Sequence, residues 1–479
     1  MVKFGGKIVQ IGFGGVGKSF FEKVNKEIKL DMNNYYVITR DKDEYENYMY
    51  LNGVSTNLCA DEITKDNFKE VLSRLLGPGD LLLDFSDSIN TKEVCKWCMD
   101  NKIMYLNTGE AEWSGVWYNI LEETLKKKQL KEEFFHQNER IPIVLHHGNN
   151  PGLVSHFAKA AIEYIVKTQF KKNKRLISLL KGNRFKEIAR ELGIRIIHVN
   201  DIDNQKIKEE YTQNKLVNTW SGESFFLELM GEASQSIGTH ECVDNKEMYN
   251  KIDLKNGYVE YNSLAAETLC KTICPIGKFE GYLVPHEETI TIADSLTIKE
   301  GENIVYRPSV MFVYSPCELA KKYLEGSKLS ERDVNKIDED LVVSGHMYPL
   351  DMEVVCKNKI DEGTEYVGVL LIGDKFEPVW VGNRVELSYL YKDIKSSYWQ
   401  TPTVTPVAMS ALSAVCWMIK HKKDGGIYFP DDIKEYKEII KMAEKYISKT
   451  IYKTFSKEYV TSLIGIEIDN IQSKDFFVK

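Results

Sequence analysis

Short apolar runs alternate with longer amphipathic segments along the first 110 residues. The apolar runs predict strands over 7–11, 35–39, 81–85 and 104–107, and the amphipathic segments predict helices over 19–28, 67–76 and 91–101. This alternation is typical of βαβ units, in which parallel strands lie side by side beneath their connecting helices. The N-terminal part is therefore predicted to be an α/β domain of the Rossmann type, with a doubly wound parallel sheet.

The pattern changes near residue 150, where the first domain is predicted to end. Asn150 is suited to cap a helix over 153–166, with Pro151 as its first helical residue. The chain beyond is mixed, and it predicts a long basic helix over 170–192, a strand over 195–199 and several β-rich stretches between 257 and 385. We expect a Rossmann domain over 1–149, an α+β domain over 150–396 and a C-terminal helical segment over 397–479 that packs back on the first domain.

Composition and charge exclude some classes of protein. The chain has 479 residues and is 43% apolar, which is enough for two or three domains with buried cores. With 71 acidic against 63 basic residues, the net charge is -8, and no long basic block is present. A nucleic-acid-binding protein would show such a block, so that class is disfavoured. The mild acidity permits a cationic substrate without pointing to one.

The N-terminus and the cysteines suggest a cytoplasmic protein. No signal-peptide pattern precedes the first strand, and no apolar run of about 18 residues predicts a membrane span. The nine cysteines are read as small buried hydrophobic residues of a reducing compartment. Cys95 and Cys98 form the only CxxC pair, and without a second pair it is interpreted as structural. No metal site is expected.

A glycine loop between the first strand and the first helix is the strongest local motif. It reads Gly12-Phe-Gly14-Gly15-Val16-Gly17. Gly12 permits a sharp turn, Gly14 lets a pyrophosphate approach the backbone, and Gly17 lets the helix pack closely on the sheet. A glycine-rich turn without a ligand remains the alternative, but the βαβ context favours NAD(P).

Polar residues after the later strands are further candidates for the cofactor site, because ligands of such sheets bind at the carboxyl ends of the strands. Asp41 can accept hydrogen bonds from the adenosine ribose, whereas Arg40 can instead contact a 2′-phosphate, so NAD and NADP stay unresolved here. Ser86, Asp87 and Thr108 follow later strands. Each of these three can instead cap the next helix.

Seven separated stretches carry a family resemblance. They are 81–86, 146–153 with Asn-Asn-Pro-Gly, 196–198, 218–221 with Asn-Thr-Trp-Ser, 281–288 with Pro-His-Glu-Glu, 306–308 and 314–317. In this order, and over most of the chain to about residue 385, they resemble the bacterial-type homospermidine synthases of the saccharopine dehydrogenase-like group. The Asn-Pro-Gly element, Trp220 and the His286-x-Glu288 element are the specific ones.

The resemblance implies an NAD-dependent aminobutyl transfer. One putrescine is oxidised to an imine, ammonia leaves, a second putrescine condenses, and the new imine is reduced by the same bound cofactor without net redox change. Spermidine can serve as the aminobutyl donor in the same scheme. It also implies a homodimer, and it assigns catalytic and cofactor-contacting roles to particular residues. The catalytic residues are Trp220, His286, Glu288, Glu228, Asp201 and Asn150, and the further cofactor contacts are Asn149 and Pro151.

These residue types suit diamine chemistry on their own account. A diamine is a dication at pH 7, so its pocket needs carboxylates such as Asp201, Glu228 and Glu288. Trp220 can lay its indole face on an ammonium or iminium ion, which contributes roughly 1–2 kcal/mol when desolvated. The spacing of His286 and Glu288 predicts that both lie on one face of a strand.

Each residue also has a structural interpretation. Trp220 can be a core aromatic, Glu228 an exposed carboxylate on the helix 223–230, and His286 a hydrogen-bonded strand histidine. His146 and His147 end a strand beside the expected nicotinamide position, but they lack further ligands at metal-binding spacing.

Two features of the sequence depart from the family pattern, and two alternative functions remain open. Asp201 stands where the family is expected to have glutamate, which puts the length of the substrate in doubt, and 400–406 matches the family poorly. The first rival is a saccharopine or carboxynorspermidine dehydrogenase, whose carboxylate substrates need arginines, and Arg307 is the one nearby candidate. The second rival is a non-catalytic NAD-sensing protein, which would keep the glycine loop and lose the acidic pocket.

Overall fold

The computed structural model describes residues 1–52, 56–59, 62–113, 119–134, 141–244, 246–330, 342–391 and 399–478. The chain divides into two compact units. The first unit contains Met1–Leu153, Val404–Tyr446 and the pair Trp399 and Gln400. The second unit contains Val154–Ile394, Thr401–Thr403 and Ile447–Lys479.

The first unit is built on a seven-stranded sheet in which every neighbouring pair of strands is parallel. Its strands are short, apolar and mostly buried, as expected when both faces of a parallel sheet are covered. In spatial order they are Gly426–Tyr428, Pro142–Val144, Met104–Asn107, Leu81–Asp84, Ile8–Ile11, Tyr35–Ile38 and Asn57–Cys59. A small parallel pair joins Val2–Lys3 to Ile28–Lys29.

Helices connect these strands, and this confirms the predicted α/β class with a Rossmann-type parallel sheet. The helices of the first unit are Gly15–Glu27, Lys42–Asn52, Phe68–Leu75, Thr91–Asp100, Ile120–Phe134, Val404–Lys420 and Tyr436–Ala443. Amphipathic segments such as Phe68–Leu75 place Phe68, Val71 and Leu72 in the core beside the sheet residues Val9 and Leu82.

The second unit is built on a mixed sheet of ten strands. Eight of them follow one path, in the order Tyr249–Asp253, Tyr258–Leu264, Glu232–Ser236, Ser309–Ser315, Ile194–Asp203, Thr364–Gly373, Val379–Glu386 and Ile451–Thr454. Gly277–Leu283 also pairs with Ser309–Ser315, and Leu269–Cys274 pairs with Gly277–Leu283. Ser309–Ser315 and Ile194–Asp203 are parallel, whereas the other pairs are antiparallel.

The remaining elements of the second unit are helices and short strand pairs. The helices are Leu153–Gln169, Lys174–Lys181, Phe185–Leu192, Gly222–Met230, Glu287–Ser295, Glu318–Ser327, Leu387–Leu390 and Lys457–Ile464. The short pairs join Lys206–Ile207 to Ile360–Glu362, Lys215–Asn218 to Asp351–Val354, Ile298–Glu300 to Asn303–Tyr306, and Val342–Val343 to His346–Met347.

One face of this sheet is apolar, and the other carries acidic side chains that belong to the candidate site. Side chains alternate between faces along a strand, so Ile196 and Ile202 share one face while Asp201 and Asp203 share the other. The first face packs into an apolar core with Met311, Val313 and Leu370. The second face carries acidic groups at the carboxyl end of Ile194–Asp203.

Three local predictions were wrong. The basic helix predicted over 170–192 is two helices, because the chain turns at Gly182 and at Asn183, whose φ is 53°. Pro151 is not a first helical residue, because the helix begins at Leu153. His286 and Glu288 do not lie on a strand, because the chain enters the helix Glu287–Ser295 directly after His286.

The C-terminal segment is shared between the units. Val404–Lys420 lies with the first unit, and Gly426–Tyr428 extends that unit's sheet beside Pro142–Val144. The last residues behave differently from the prediction for 397–479, because Ile451–Thr454 pairs with Val379–Glu386 and forms an end strand of the second unit's sheet. Within the residues described, no helix is long and apolar enough to cross a membrane.

Candidate active site

The glycine loop of the first unit has the geometry that a pyrophosphate requires. Gly12 has a φ of 85°, and a Cβ at this residue would lie 2.8 Å from the carbonyl oxygen of Phe85. A Cβ on Gly17 would lie 2.4 Å from the carbonyl oxygen of Gly12. By contrast, none of the described residues lies within 4 Å of the Cβ position of Gly14, and the helix begins at Gly15. The open side of the loop therefore faces a helix N-terminus, which favours an anion.

Asp41 has a structural role at the place where the ribose was expected. It is exposed, and its Oδ1 accepts a hydrogen bond of 2.8 Å from the backbone N–H of Glu44, in the first turn of Lys42–Asn52. Arg40 is also exposed and lies 3.5 Å from Glu62. Both side chains are engaged without being buried, so neither contact distinguishes NAD from NADP.

Ser86 and Asp87 follow the strand Leu81–Asp84. The backbone N–H and the hydroxyl of Ser86 both donate to Oδ1 of Asp84, at 3.0 and 2.7 Å. Burial raises the pKa of Asp84 to about 6, although these hydrogen bonds oppose the shift. The next helix is capped by Asn90, whose Oδ1 accepts from the N–H of Glu93 at 2.7 Å, so the capping alternative for Ser86 and Asp87 is wrong.

The Asn-Pro-Gly element forms a tight turn after the strand Pro142–Val144. The N–H of Gly148 donates to the carbonyl oxygen of Pro151 at 2.7 Å, and a Cβ on Gly152 would lie 2.0 Å from the carbonyl oxygen of Gly148. Asn149 is buried and Asn150 is half-buried. With Thr108, which follows Met104–Asn107, these residues lie at the carboxyl edge of the parallel sheet.

A buried ion network lies behind the same edge. Lys127 Nζ donates to Glu110 Oε1 at 2.6 Å, and His146 Nε2 lies 3.2 Å from Glu110 Oε2. All three side chains are only 1% exposed. His146 has a φ of 57°, and its N–H donates to Oδ1 of Asn107 at 2.9 Å. A non-glycine residue in this conformation needs such support from its surroundings.

The second unit brings together four of the chemistry-bearing side chains, which we name the histidine cluster: His286, Glu287, Glu288 and Glu228. His286 Nδ1 contacts Oε2 of Glu288 and lies 3.1 Å from Oε2 of Glu287. Glu288 is fully buried, and its other oxygen has no hydrogen-bond partner among the described residues. Glu228 lies on the neighbouring helix Gly222–Met230, close enough for its charge to act on His286.

The charges of this cluster are strongly coupled. Burial alone would lower the pKa of His286, but the carboxylates of Glu288, Glu287 and Glu228 raise it to about 10. Burial raises the pKa of Glu228 to about 8; His286 opposes this shift, and Glu287 and Glu288 add to it. Near pH 7 the cluster therefore holds an imidazolium ion and a protonated Glu228.

A second acidic group lies on the sheet face, and we name it the strand-face carboxylates: Asp201, Asp203 and Glu365. Asp203 and Glu365 are cross-strand partners. Asp203 accepts hydrogen bonds from Thr219 Oγ1 at 2.6 Å and from Gln205 Nε2 at 2.9 Å. Burial, together with the charges of Asp201 and Asp203, raises the pKa of Glu365 well above its ordinary value. Its Oε2 has no hydrogen-bond partner within the described ranges.

Aromatic side chains lie between the two acidic groups. Trp220 Nε1 donates to the hydroxyl of Tyr314 at 2.8 Å, and Tyr314 is the strand partner of Asp201. Two residues earlier on the same strand, the ring of Phe312 lies 4.3 Å from the imidazole of His286, measured between centroids. Trp220 is half-buried, so part of its surface remains accessible.

A metal ion would find its best group of ligands in the histidine cluster. Among the described residues, His286, Glu287 and Glu288 are the group whose possible ligand atoms all lie within 4.8 Å of one another. The imidazolium proton already compensates these carboxylates.

The structure brings some of the predicted site residues together and places further carboxyl groups beside them. His286, Glu288 and Glu228 are brought together, as are Asp201 and Trp220, whereas Asn150 belongs to the other unit. Asp203 could have been found, because residues two apart on a strand share a face. Glu365 had no local signal, since strand pairing brings it to Asp203 from 162 positions away along the chain (365 − 203).

Comparisons with known proteins agree over nearly the whole chain. Residues 8–139 match the saccharopine dehydrogenase NADP binding domain, and residues 148–449 match the saccharopine dehydrogenase C-terminal domain. The homospermidine synthase of Mesorhizobium japonicum is 24% identical over 465 residues, covering 92% of this chain and 89% of that protein. The homospermidine synthase of Blastochloris viridis is 25% identical over 462 residues, covering 93% and 90%.

A solved structure gives the same result. The crystal structure of the homospermidine synthase of Legionella pneumophila in complex with NAD is 25% identical to this chain, with a TM-score of 0.77. The matched region covers 95% of this chain and 92% of the Legionella chain. Because the two family profiles together span most of the sequence, the chain belongs to the saccharopine dehydrogenase family.

Proposed function

We propose that the chain is a homospermidine synthase that uses NAD to transfer an aminobutyl group from putrescine, or from spermidine, to a second putrescine. The relatives that carry this name resemble the chain over more than nine-tenths of its length. The observation that carries the proposal is the second unit's site, where two acidic groups flank an aromatic strip. Such a site suits a ligand with a positive charge at each end and apolar carbon between them.

The spacing of the two groups supports a short diamine. His286 contacts Phe312, and Asp201 pairs with Tyr314. Two residues of strand separate these contact points by about 6.6–6.8 Å. A four-carbon diamine has a comparable distance between its nitrogens. The shorter Asp201, where the family is expected to have glutamate, is accompanied here by Asp203 and Glu365, which bring two further carboxyl groups to the same face.

The glycine loop fits the nicotinamide dinucleotide. We assign the cofactor to the loop Gly12, Gly14, Gly15, Val16 and Gly17, with the pyrophosphate approaching at Gly14, and with Asp41, Ser86, Asp87, Thr108, Asn149 and Pro151 as further contacts along the same sheet edge. When bound, NAD supplies a hydride acceptor for the amine carbon and a hydride donor for the new imine, so the reaction is redox-neutral.

The reacting amine must lose a proton before hydride transfer, and Glu228 is suited to remove it. An ammonium group has a pKa near 10, whereas a carboxyl with a pKa of about 8 accepts a proton readily at mildly alkaline pH. His286 and Glu288 hold each other in a fixed orientation beside it. Asn150, in the Asn-Pro-Gly turn, remains a proposed catalytic residue.

Trp220 stabilises the cationic intermediates. Its indole can lie against the iminium ion while its Nε1 remains bonded to Tyr314. An indole offers no nucleophile, so the iminium survives until the second putrescine adds and ammonia leaves. The strand-face carboxylates are proposed to hold the far ammonium during this exchange.

The rival dehydrogenase fits less well. Its carboxylate substrates need an arginine in the pocket. Arg307 is buried and engaged elsewhere, since its Nε donates to the carbonyl oxygen of Ile237 at 2.7 Å and its Nη2 to that of Leu254 at 3.2 Å. A non-catalytic NAD sensor would have no need of the two acidic groups. We also propose a cytoplasmic homodimer; the nine free cysteines suit a reducing compartment.

Product analysis by mass spectrometry tests the proposal. The purified protein is incubated with putrescine and catalytic NAD⁺, and homospermidine plus ammonia should form without accumulating NADH. No product with putrescine, together with steady NAD(P)H turnover on an amino acid and an aldehyde, would establish the dehydrogenase instead.

A further inference from the structure

Trp399 and Gln400 pack against the helix Gly15–Glu27 of the first unit, although they are far from it along the chain. Ser19 Oγ donates to the carbonyl oxygen of Trp399 at 3.2 Å, and Gln400 Nε2 donates to Oε2 of Glu22. Gln400 is 3% exposed. The chain is therefore fixed to this helix by its backbone as well as by side chains.

Lys18 connects Trp399 to the rest of the cofactor site. Its side chain is 1% exposed, its Nζ lies 4.3 Å from the centre of the Trp399 ring, and it forms an ion pair with Glu44. Glu44 is also the residue whose N–H is capped by Asp41. A cation held between an aromatic face and a carboxylate thus joins the glycine-loop helix to the helix that follows the second strand.

Trp399 closes one side of the glycine loop and leaves the other open. A Cβ on Gly15 would lie 3.5 Å from Cε3 of Trp399 and 3.2 Å from a methyl carbon of Val404. Within the part of the chain that the structure describes, the Cβ position of the neighbouring Gly14 has nothing within 4 Å. The open side is the one assigned to the pyrophosphate, so Trp399 supports the loop without occupying the place of the ligand.

We propose that Trp399, through Lys18, is a positioning residue that holds the glycine loop in its cofactor-binding form and slows the release of the dinucleotide. A loop rich in glycine has a large conformational freedom, and ordering it on binding weakens affinity. A loop that is already ordered loses less conformational freedom on binding. The resulting gain in affinity appears mainly as slower dissociation. The inference rests on the proposed function, because a redox-neutral cycle depends on a cofactor that stays bound between its two hydride transfers.

Stopped-flow fluorescence of NADH release, measured without any amine, tests the proposal. W399A should raise the dissociation rate about tenfold, equivalent to about 1.4 kcal/mol. W399F keeps an aromatic face against Lys18, so its dissociation rate should lie between those of W399A and the parent. W417A is the matched control, because Trp417 packs on His421 and Tyr428 elsewhere in the first unit.

The outcomes separate this inference from the proposed function. A dissociation rate for W399A and W399F within about twofold of the parent, or an equal rise in W417A, would overturn it. Should W399A fail to fold, W399F carries the test. Faster NADH release in W399A, with no homospermidine formed by the parent, would keep the role of Trp399 and reject the synthase. A parent that binds no NADH would reject both.

Discussion

The imidazole of His286 is hydrogen-bonded to the fully buried carboxylate of Glu288, and this pair lies beside Glu228. Because the imidazolium charge persists up to a pKa of about 10, His286 keeps its proton over the range in which Glu228, with a pKa of about 8, loses its own. Of these two residues, Glu228 is the one that changes its protonation near pH 8.

The rate of homospermidine formation should rise as the pH passes through about 8. Below this value Glu228 is protonated and cannot accept the proton of the amine; above it the carboxylate is available. E228Q should lose this limb of the pH–rate profile and about 10²–10⁴-fold of the rate. E223Q, on the exposed first turn of the same helix, should keep both the limb of the profile and the full rate. A limb near pH 8 that persists in E228Q would assign it to another group.

Glu365 should contribute to amine binding more than to chemistry. Its raised pKa reflects burial and the neighbouring charges of Asp201 and Asp203, and an ammonium ion would relieve that repulsion. E365Q should raise KM for putrescine about tenfold with little change in kcat, because the contact is made equally in the ground and transition states. E362Q, which removes an exposed carboxylate paired with Lys206, should leave KM unchanged. Equal KM values for the two variants would remove Glu365 from the substrate site.

The fold was accessible from sequence because its signals are local. The apolar runs and the glycine spacing lie within single βαβ units, and these elements were found within a few residues of their observed ends. The break at Gly182 and Asn183 was missed because both flanking segments keep the same amphipathic period. The change from strand to helix at His286 was missed for a different reason: two residues are too few to distinguish the two periods.

The site was only partly accessible, and the missing members come from distant parts of the chain. Asp201 and Trp220 could be recognised in short motifs. Glu365 reaches the same face through pairing of two strands, and Trp399 contacts the glycine loop from a position far along the chain. No periodicity in one sequence reports contacts of this kind, since they depend on tertiary packing.

A methyl group on Gly14 should separate cofactor binding from folding. Among the described residues nothing fills the Cβ position, and the backbone does not need a positive φ, so G14A should melt within about 2 °C of the parent without NAD, as expected for a shift of ~0.5 kcal/mol. The methyl would occupy the approach of the pyrophosphate, so the affinity for NADH should fall at least about tenfold. G5A, whose Cβ position is equally open, is the matched control and should bind NADH normally. Normal binding by G14A would show that the pyrophosphate does not approach the loop there.

Lys127 should contribute far more to stability than its neighbour Lys126. Lys127 and Glu110 are each 1% exposed, so K127M would leave a buried carboxylate without its compensating ammonium, at an expected loss of about 3–5 kcal/mol. Lys126 is 48% exposed, and its pair with Glu123 is worth about 0–1 kcal/mol, so K126M should be nearly neutral. Urea unfolding followed by tryptophan fluorescence measures both. The double variant K127M/E110Q should recover part of the loss, because the unpaired charge is then absent. If K127M were as stable as K126M, Glu110 would have to be protonated or compensated by His146. Lys127 would then not be needed to support the turn at His146 through Glu110.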